Sequence, residues 1–133
     1  MLRADWATCY WGRLQSPISV PGPDTGAITG HRTGRLTRSY RPSPATLVNR
    51  GHDIMVRFEG NAGSLLLDGV TYKLRQMHWH SPSEHALHGH RHDLELHMLH
   101  QSDNRTGGKY AVVAQLFDIG DHRDETLRMV RTS

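Results

Sequence analysis

Apolar and polar side chains alternate over residues 53–59, with Ile54, Val56 and Phe58 on one parity and Met55 and Arg57 on the other, which is the period of a half-buried strand. A turn over residues 59–63 follows. Residues 64–67, a turn at Asp68-Gly69 and residues 70–74 predict a hairpin whose second strand runs on to Gln76, His78 and His80. Ser81-Pro82-Ser83 ends that strand, and residues 84–92 read as a histidine-rich connection. Alternation resumes over residues 93–101: Glu95, His97 and Leu99 share one parity, Leu94, Leu96, Met98 and His100 the other. A turn over residues 102–108 leads to an apolar strand at 110–119, and residues 121–130 have the pattern of a short helix capped by Asp121, with Leu127 and Val130 on one side. Upstream, the strand character begins at Thr46, and residues 21–34 read as loop. Trp6, Tyr10 and Trp11 make the first residues too aromatic for a free tail and predict packing on the domain edge. The sum is a mainly β chain, about six strands of a mostly antiparallel sheet with little helix.

This alternation gives the histidines a geometry. Residues 76–101 hold eight of the eleven. Side chains on a strand alternate faces, so His78 and His80 point the same way, with Gln76 beside them. Pairing that strand with residues 93–101 sets His97 opposite, and three neutral imidazoles then converge. Three such ligands leave a tetrahedral zinc one open position, which suggests catalysis more than a structural metal. Gln76 and Glu95 each stand two residues before a proposed ligand on the same face. A ligating imidazole usually gives its other N–H to a carboxylate or carbonyl, and these two residues are placed to accept it.

Composition narrows the classes. At 133 residues the chain is a single domain, and 36% hydrophobic content with a mean hydropathy of −0.60 makes a lean core. No apolar run approaches the roughly 18 residues that span a bilayer, and MLRADWATC lacks the apolar stretch of a secretory signal, so no membrane partner is expected. The formal charge of +3 is carried mainly by arginine. Arg32, Arg35, Arg38 and Arg41 form a basic stripe without an aromatic platform or helix-turn-helix pattern; it reads as a solvated loop, and no nucleic-acid partner is expected. Cys9 is the single cysteine, so no internal disulfide forms. His88, His90 and His92 alternate and are compatible with an adventitious divalent metal, but their loop offers no matching carboxylates and they read as exposed histidines.

QMHWHSPSEH (76–85) followed by DLELHMLHQ (93–101) resembles the active-site strands of the alpha-class carbonic anhydrases, the plant-like members most closely. The resemblance extends in order through LQSPISV (14–20), YRPSPATLVNRGHDIMV (40–56), LDGVTYKL (67–74) and KYAVVAQLFDIG (109–120). It implies a partial alpha-carbonic-anhydrase-like twisted sheet, with residues 1–133 as a single, C-terminally incomplete domain. It further implies Zn2+ on His78, His80 and His97, and reversible hydration of CO2 to bicarbonate through zinc-bound hydroxide. His52 falls at the family's proton shuttle, a role suited to an imidazole, which exchanges protons near neutrality. Glu84 matches the glutamate that orients a threonine hydroxyl toward that hydroxide; the threonine's TTPP-like segment is absent from this sequence. His85 and His100 match structural histidines. Leu99 and Val112 match the wall of the CO2 pocket, positions that ordinary sheet core would fill with the same residue types. In extracellular relatives a cysteine at the place of Cys9 pairs with one that would lie beyond Ser133. The alternative function is a non-catalytic zinc- or partner-binding module of the same family. On either reading, residues 1–133 alone are expected to show little or no activity, and an open sheet edge invites self-association.

Overall fold

The computed structural model describes residues 11–13, 15–21, 35–103 and 108–124. Its strands are β1 (Ser19–Val20), β2 (Leu36–Tyr40), β3 (Ala45–Asn49), β4 (Ile54–Phe58), β5 (Gly63–Leu67), β6 (Val70–His80), β7 (Ala86–Leu87), β8 (His90–Arg91), β9 (Leu94–Ser102) and β10 (Tyr110–Phe117). Seven form one sheet in the order β10-β9-β6-β4-β3, with β5 also on β6 and β2 on β5; all its pairings are antiparallel. A small second sheet, β1-β7-β8, contains the one parallel pair among the described residues, β1 with β7.

The hairpin β5–β6 turns at Asp68 and Gly69, both with positive φ (50° and 78°), the backbone that a two-residue loop needs to follow the twist of its strands. Gly63 is required for a second reason. Its φ is 102°, and a Cβ there would lie 2.0 Å from the Ser39 carbonyl oxygen, so only glycine lets β2 lie against β5.

Two strands of the central sheet carry the organisation. In β6, Leu74 pairs with His100 and Gln76 with Leu99, leaving Arg75 as an extra residue opposite β9. That register shift changes the facing of the strand. Tyr72 and Leu74 share a face with His100, while Gln76, His78 and His80 share the opposite face with Leu99, His97 and Glu95. The apolar core gathers on the first face: Val56, Leu65, Tyr72, Leu74 and Leu96 are all buried, and His100 is wholly enclosed there with its Nε2 3.0 Å from the Tyr40 hydroxyl.

Several expectations change. Residues 84–92 are not a plain connection: they contain β7 and β8, which form the second sheet with β1, and Val20 of β1 and Leu87 of β7 line a cleft together with His97. β2 was not predicted because LTRSY has no apolar alternation and every residue in it is exposed. Trp11 is 79% exposed, while Trp6, Tyr10 and Cys9 lie outside the described residues. Residues 121–124 are not helical; the rest of the expected helix lies outside the described residues, as do residues 22–34 of the expected loop. Among the described residues no helix is long and apolar enough to cross a membrane.

Candidate metal centre

His78 and His97 face each other directly across β6 and β9, and His80 stands two residues along β6 beside Glu95. The three rings form a nearly equilateral cluster, with centroids 4.9 Å (His78–His80), 5.1 Å (His78–His97) and 4.9 Å (His80–His97) apart. One nitrogen from each lies within 4.8 Å of the others.

The outer nitrogens are anchored. His78 Nδ1 donates to Gln76 Oε1 at 2.9 Å, and His97 Nε2 donates to Glu95 Oε1 at 2.7 Å. These bonds leave Nε2 of His78 and Nδ1 of His97 bare of hydrogen and able to coordinate. His80 Nε2 is buried with no hydrogen-bond partner. An enclosed polar atom without a partner is costly in a closed protein interior, and a cation at the centre of the cluster would satisfy it. Burial, reinforced by the neighbouring His80 and His97 rings and by Arg50, holds His78 below the usual imidazole value, which keeps it in the neutral, ligating form.

Glu95 is the keystone behind the cluster. Its side chain is fully buried, yet it receives three hydrogen bonds: from the His85 amide (2.8 Å), from His85 Nδ1 (2.6 Å) and from His97 Nε2 (2.7 Å). Burial alone would raise its pKa, but the His85 amide and the two imidazole N–H groups outweigh that and hold the carboxyl at about 2. His85 in turn reaches the Ser16 hydroxyl through Nε2 at 3.0 Å, tying the N-terminal segment to the site. The backbone that presents His85 is pinned through Ser83, which is fully buried: Ser83 Oγ donates to the His85 carbonyl and accepts from the His92 amide.

The remaining sequence-predicted residues are distributed around this centre. Glu84 Oε2 lies 3.5 Å from His80 Nε2 and 3.9 Å from His97 Nδ1, so its half-exposed carboxylate faces the free nitrogens. Val112 and His97 line a cleft of about 590 Å³ together with Glu84, His85, Ala114 and Leu116. Leu99 is paired with Val112 and Gln76 on the same face but does not line that cleft. His52 sits in the β3–β4 turn, its side chain 73% exposed and its Nε2 3.7 Å from Asp53 Oδ2. β4 pairs Ile54 with Trp79 and Met55 with His78, so this turn stands at the His80 end of β6. His85 supports Glu95 as a structural residue, whereas His100 belongs to the opposite face. Sequence reasoning gave Ser16 and Ser83 no part in the site; both act through contacts 69 and 9 residues away, which no local pattern reveals.

With the geometry established, its relatives can be compared. A family profile described as eukaryotic-type carbonic anhydrase matches residues 3–132. Alpha carbonic anhydrase 7 of Arabidopsis thaliana is 48% identical over 119 residues, which is 90% of this chain and 42% of that protein. Among solved structures, dioscorin complexed with ascorbate superposes with a TM-score of 0.84 at 44% identity, over 96% of this chain and 51% of that one. The alpha-carbonic anhydrase of Thermovibrio ammonificans, complexed with sulfanilamide, gives 0.75 at 32% identity over 87% of this chain and 48% of that one. The chain thus spans about half the length of the relatives it matches.

Proposed function

This chain belongs to the eukaryotic-type carbonic anhydrase family, and from that premise we propose that it carries the metal-binding half of a zinc-dependent site for reversible hydration of CO2 to bicarbonate. The observation that carries the reading is the cluster of His78, His80 and His97, with outer nitrogens held by Gln76 and Glu95 and an enclosed His80 nitrogen left unsatisfied. Those three imidazoles would hold Zn2+. When bound, the ion supplies a Lewis acid that activates water for addition to CO2.

Each of the chain's own residues then has a task. Gln76 and Glu95 fix the tautomers, so that neither ring has to rotate or lose a proton from the wrong nitrogen when metal enters. Glu84, aimed at the free nitrogens, is the acceptor of a hydroxide-orienting network whose threonine is absent from this sequence. Val112 presents an apolar wall beside His97, where a nonpolar gas loses nothing by desolvation. Leu99, the register partner of Val112, backs that wall from the same sheet face without lining the cleft. His52, exposed on its turn at the His80 end, passes the released proton to solvent.

The second reading, a zinc- or partner-binding module without turnover, is favoured by one observation: Val112 is 52% exposed, so the apolar wall of the site is open on the β10 side. Zinc content after exhaustive dialysis and stopped-flow CO2 hydration separate the two. Zinc retained by wild type and lost in His97→Ala, with CO2 hydration lost in the same variant, supports the catalytic reading. Zinc retained through His97 with no hydration above buffer leaves these residues as a zinc-binding module, the silence expected of residues 1–133 alone, and absence of any His97-dependent zinc refutes zinc binding on both readings.

A further inference from the structure

Outside the central cluster, a second group of metal-binding side chains is brought together by tertiary structure. His90 lies in β8, His92 follows that strand, and Asp118 follows β10, 26 residues later. Their ligand atoms all lie within 4.8 Å of one another. The His90 and His92 rings meet edge-on, with centroids 5.1 Å apart at 80°. His92 Nδ1 is 2.9 Å from both oxygens of Asp118, and its Nε2 is buried with no hydrogen-bond partner. We propose that His90, His92 and Asp118 form a second site, for a divalent transition metal of the zinc, nickel or copper type.

The backbone under these residues is held from several directions, which distinguishes the group from three side chains that happen to be near on a surface. The His92 amide donates to Ser83 Oγ at 2.8 Å, and its carbonyl accepts from the Ser83 amide at 2.8 Å. Arg91 donates to the Ser83 carbonyl. On the other side, Phe117 pairs with Leu94, and the Ile119 amide donates to Asp93 Oδ2 at 2.7 Å, so Asp118 is fixed between two anchored neighbours. His92 itself is largely buried, its side chain 17% exposed, while Asp118 is 58% exposed and free to adjust.

Two imidazoles and a carboxylate suit borderline divalent ions and exclude both soft thiolate-seeking metals and hard oxygen-seeking ones such as Mg2+. Metal–ligand bonds of about 2.0–2.2 Å place tetrahedral ligand atoms roughly 3.4 Å apart, so the group closes on an ion through small rotations of the two exposed side chains, His90 and Asp118. His92 Nδ1, which now donates to Asp118, releases that proton as an ion takes its place between the ring and the carboxylate.

The test is Zn2+ titration of the whole chain with a competing chelator, supported by Cu2+ paramagnetic resonance to count coordinated nitrogens. Wild type is expected to bind two equivalents. His90→Ala and Asp118→Asn are each expected to weaken one of them about tenfold or more, and His97→Ala the other; both of the first pair replace exposed groups and leave the thermal melt unchanged. Copper loaded onto the His97→Ala protein should show two nitrogen ligands, falling to one in His97→Ala/His90→Ala. Loss of one equivalent in the His90→Ala/His92→Ala/Asp118→Asn protein, unaffected by His97→Ala, supports this site even where the central cluster fails to bind. A wild-type stoichiometry of one that only His97→Ala abolishes, or two equivalents that survive the triple substitution unchanged, overturns it.

Discussion

Replacing Glu95 by glutamine keeps the shape of the side chain and removes its charge, in a place where the charge has three partners. Glu95 Oε1 serves both His85 Nδ1 and His97 Nε2, and Oε2 serves the His85 amide. A glutamine oxygen can take over one of these positions, but its NH2 then faces a donor in the other. At least one enclosed N–H loses its acceptor, at about 1–3 kcal/mol, and the rest fall from charge-assisted to ordinary hydrogen bonds, about 1 kcal/mol each. The expected loss is about 3–5 kcal/mol. Linkage gives an independent figure: a carboxyl moved from its usual 4.5 to about 2 contributes about 3 kcal/mol to folding at neutral pH. The sign follows from the depressed folded value. The contribution is complete above about pH 4.5, the unfolded value, and is lost as pH falls toward about 2. Urea denaturation of metal-free wild type and Glu95→Gln, followed by circular dichroism at a series of pH values, should therefore show a gap of about 3–5 kcal/mol at pH 7 that narrows below about pH 4.5. Zinc affinity of the variant should fall by roughly 10–100-fold, because His97 is no longer held in its coordinating tautomer. Stabilities within about 0.5 kcal/mol at pH 7, or a gap that stays constant into acid, would refute the assignment of Glu95 as the charged anchor of the cluster.

Three other expectations are open to simple measurement. Gly63→Ala should destabilise by more than about 1 kcal/mol in chemical denaturation, since the new methyl group meets the Ser39 carbonyl and the backbone φ is unfavourable for alanine. Arg50 hydrogen-bonds both oxygens of Asp53 and holds its carboxyl below the usual carboxylate range, so the stability this pair provides is present above the unfolded value and lost as pH falls through the folded one. An Asp53→Asn protein should accordingly lose less stability than wild type over that acid range. Tyr110→Lys, at a 63% exposed position on edge strand β10, should shift any concentration-dependent species in sedimentation velocity toward monomer, because a charge on an edge strand opposes strand addition.

The histidine cluster was legible because period-two alternation survives in both β6 and β9, and facing within a strand needs nothing beyond counting. The β5–β6 hairpin was legible for a similar reason, its Asp-Gly turn being a local signal. Glu95 and Gln76 followed from the same counting. What stayed hidden depends on distance along the chain. Asp118 completes a site with His90 and His92 only because β10 lies against β9 and β8 precedes it. The loop itself supplies no matching carboxylate; Asp118, just past β10, is brought beside it by the fold. β7 and β8, two residues each, are held by pairing with β1 and each other, with no pattern of their own.

Arg75 has a consequence for how change spreads through the molecule. Tyr72, Leu74, Gln76, His78 and His80 are all even-numbered, yet the first two look into the apolar core and the last three onto the opposite surface. One added residue has decoupled the two halves of a single strand. A bulkier or smaller side chain at 72 or 74 is felt by Leu65 and His100, whereas one at 76 or 78 is felt by His97 and Met55. Sequence drift can therefore tune packing and chemistry along one continuous backbone without either constraining the other's choice of residues.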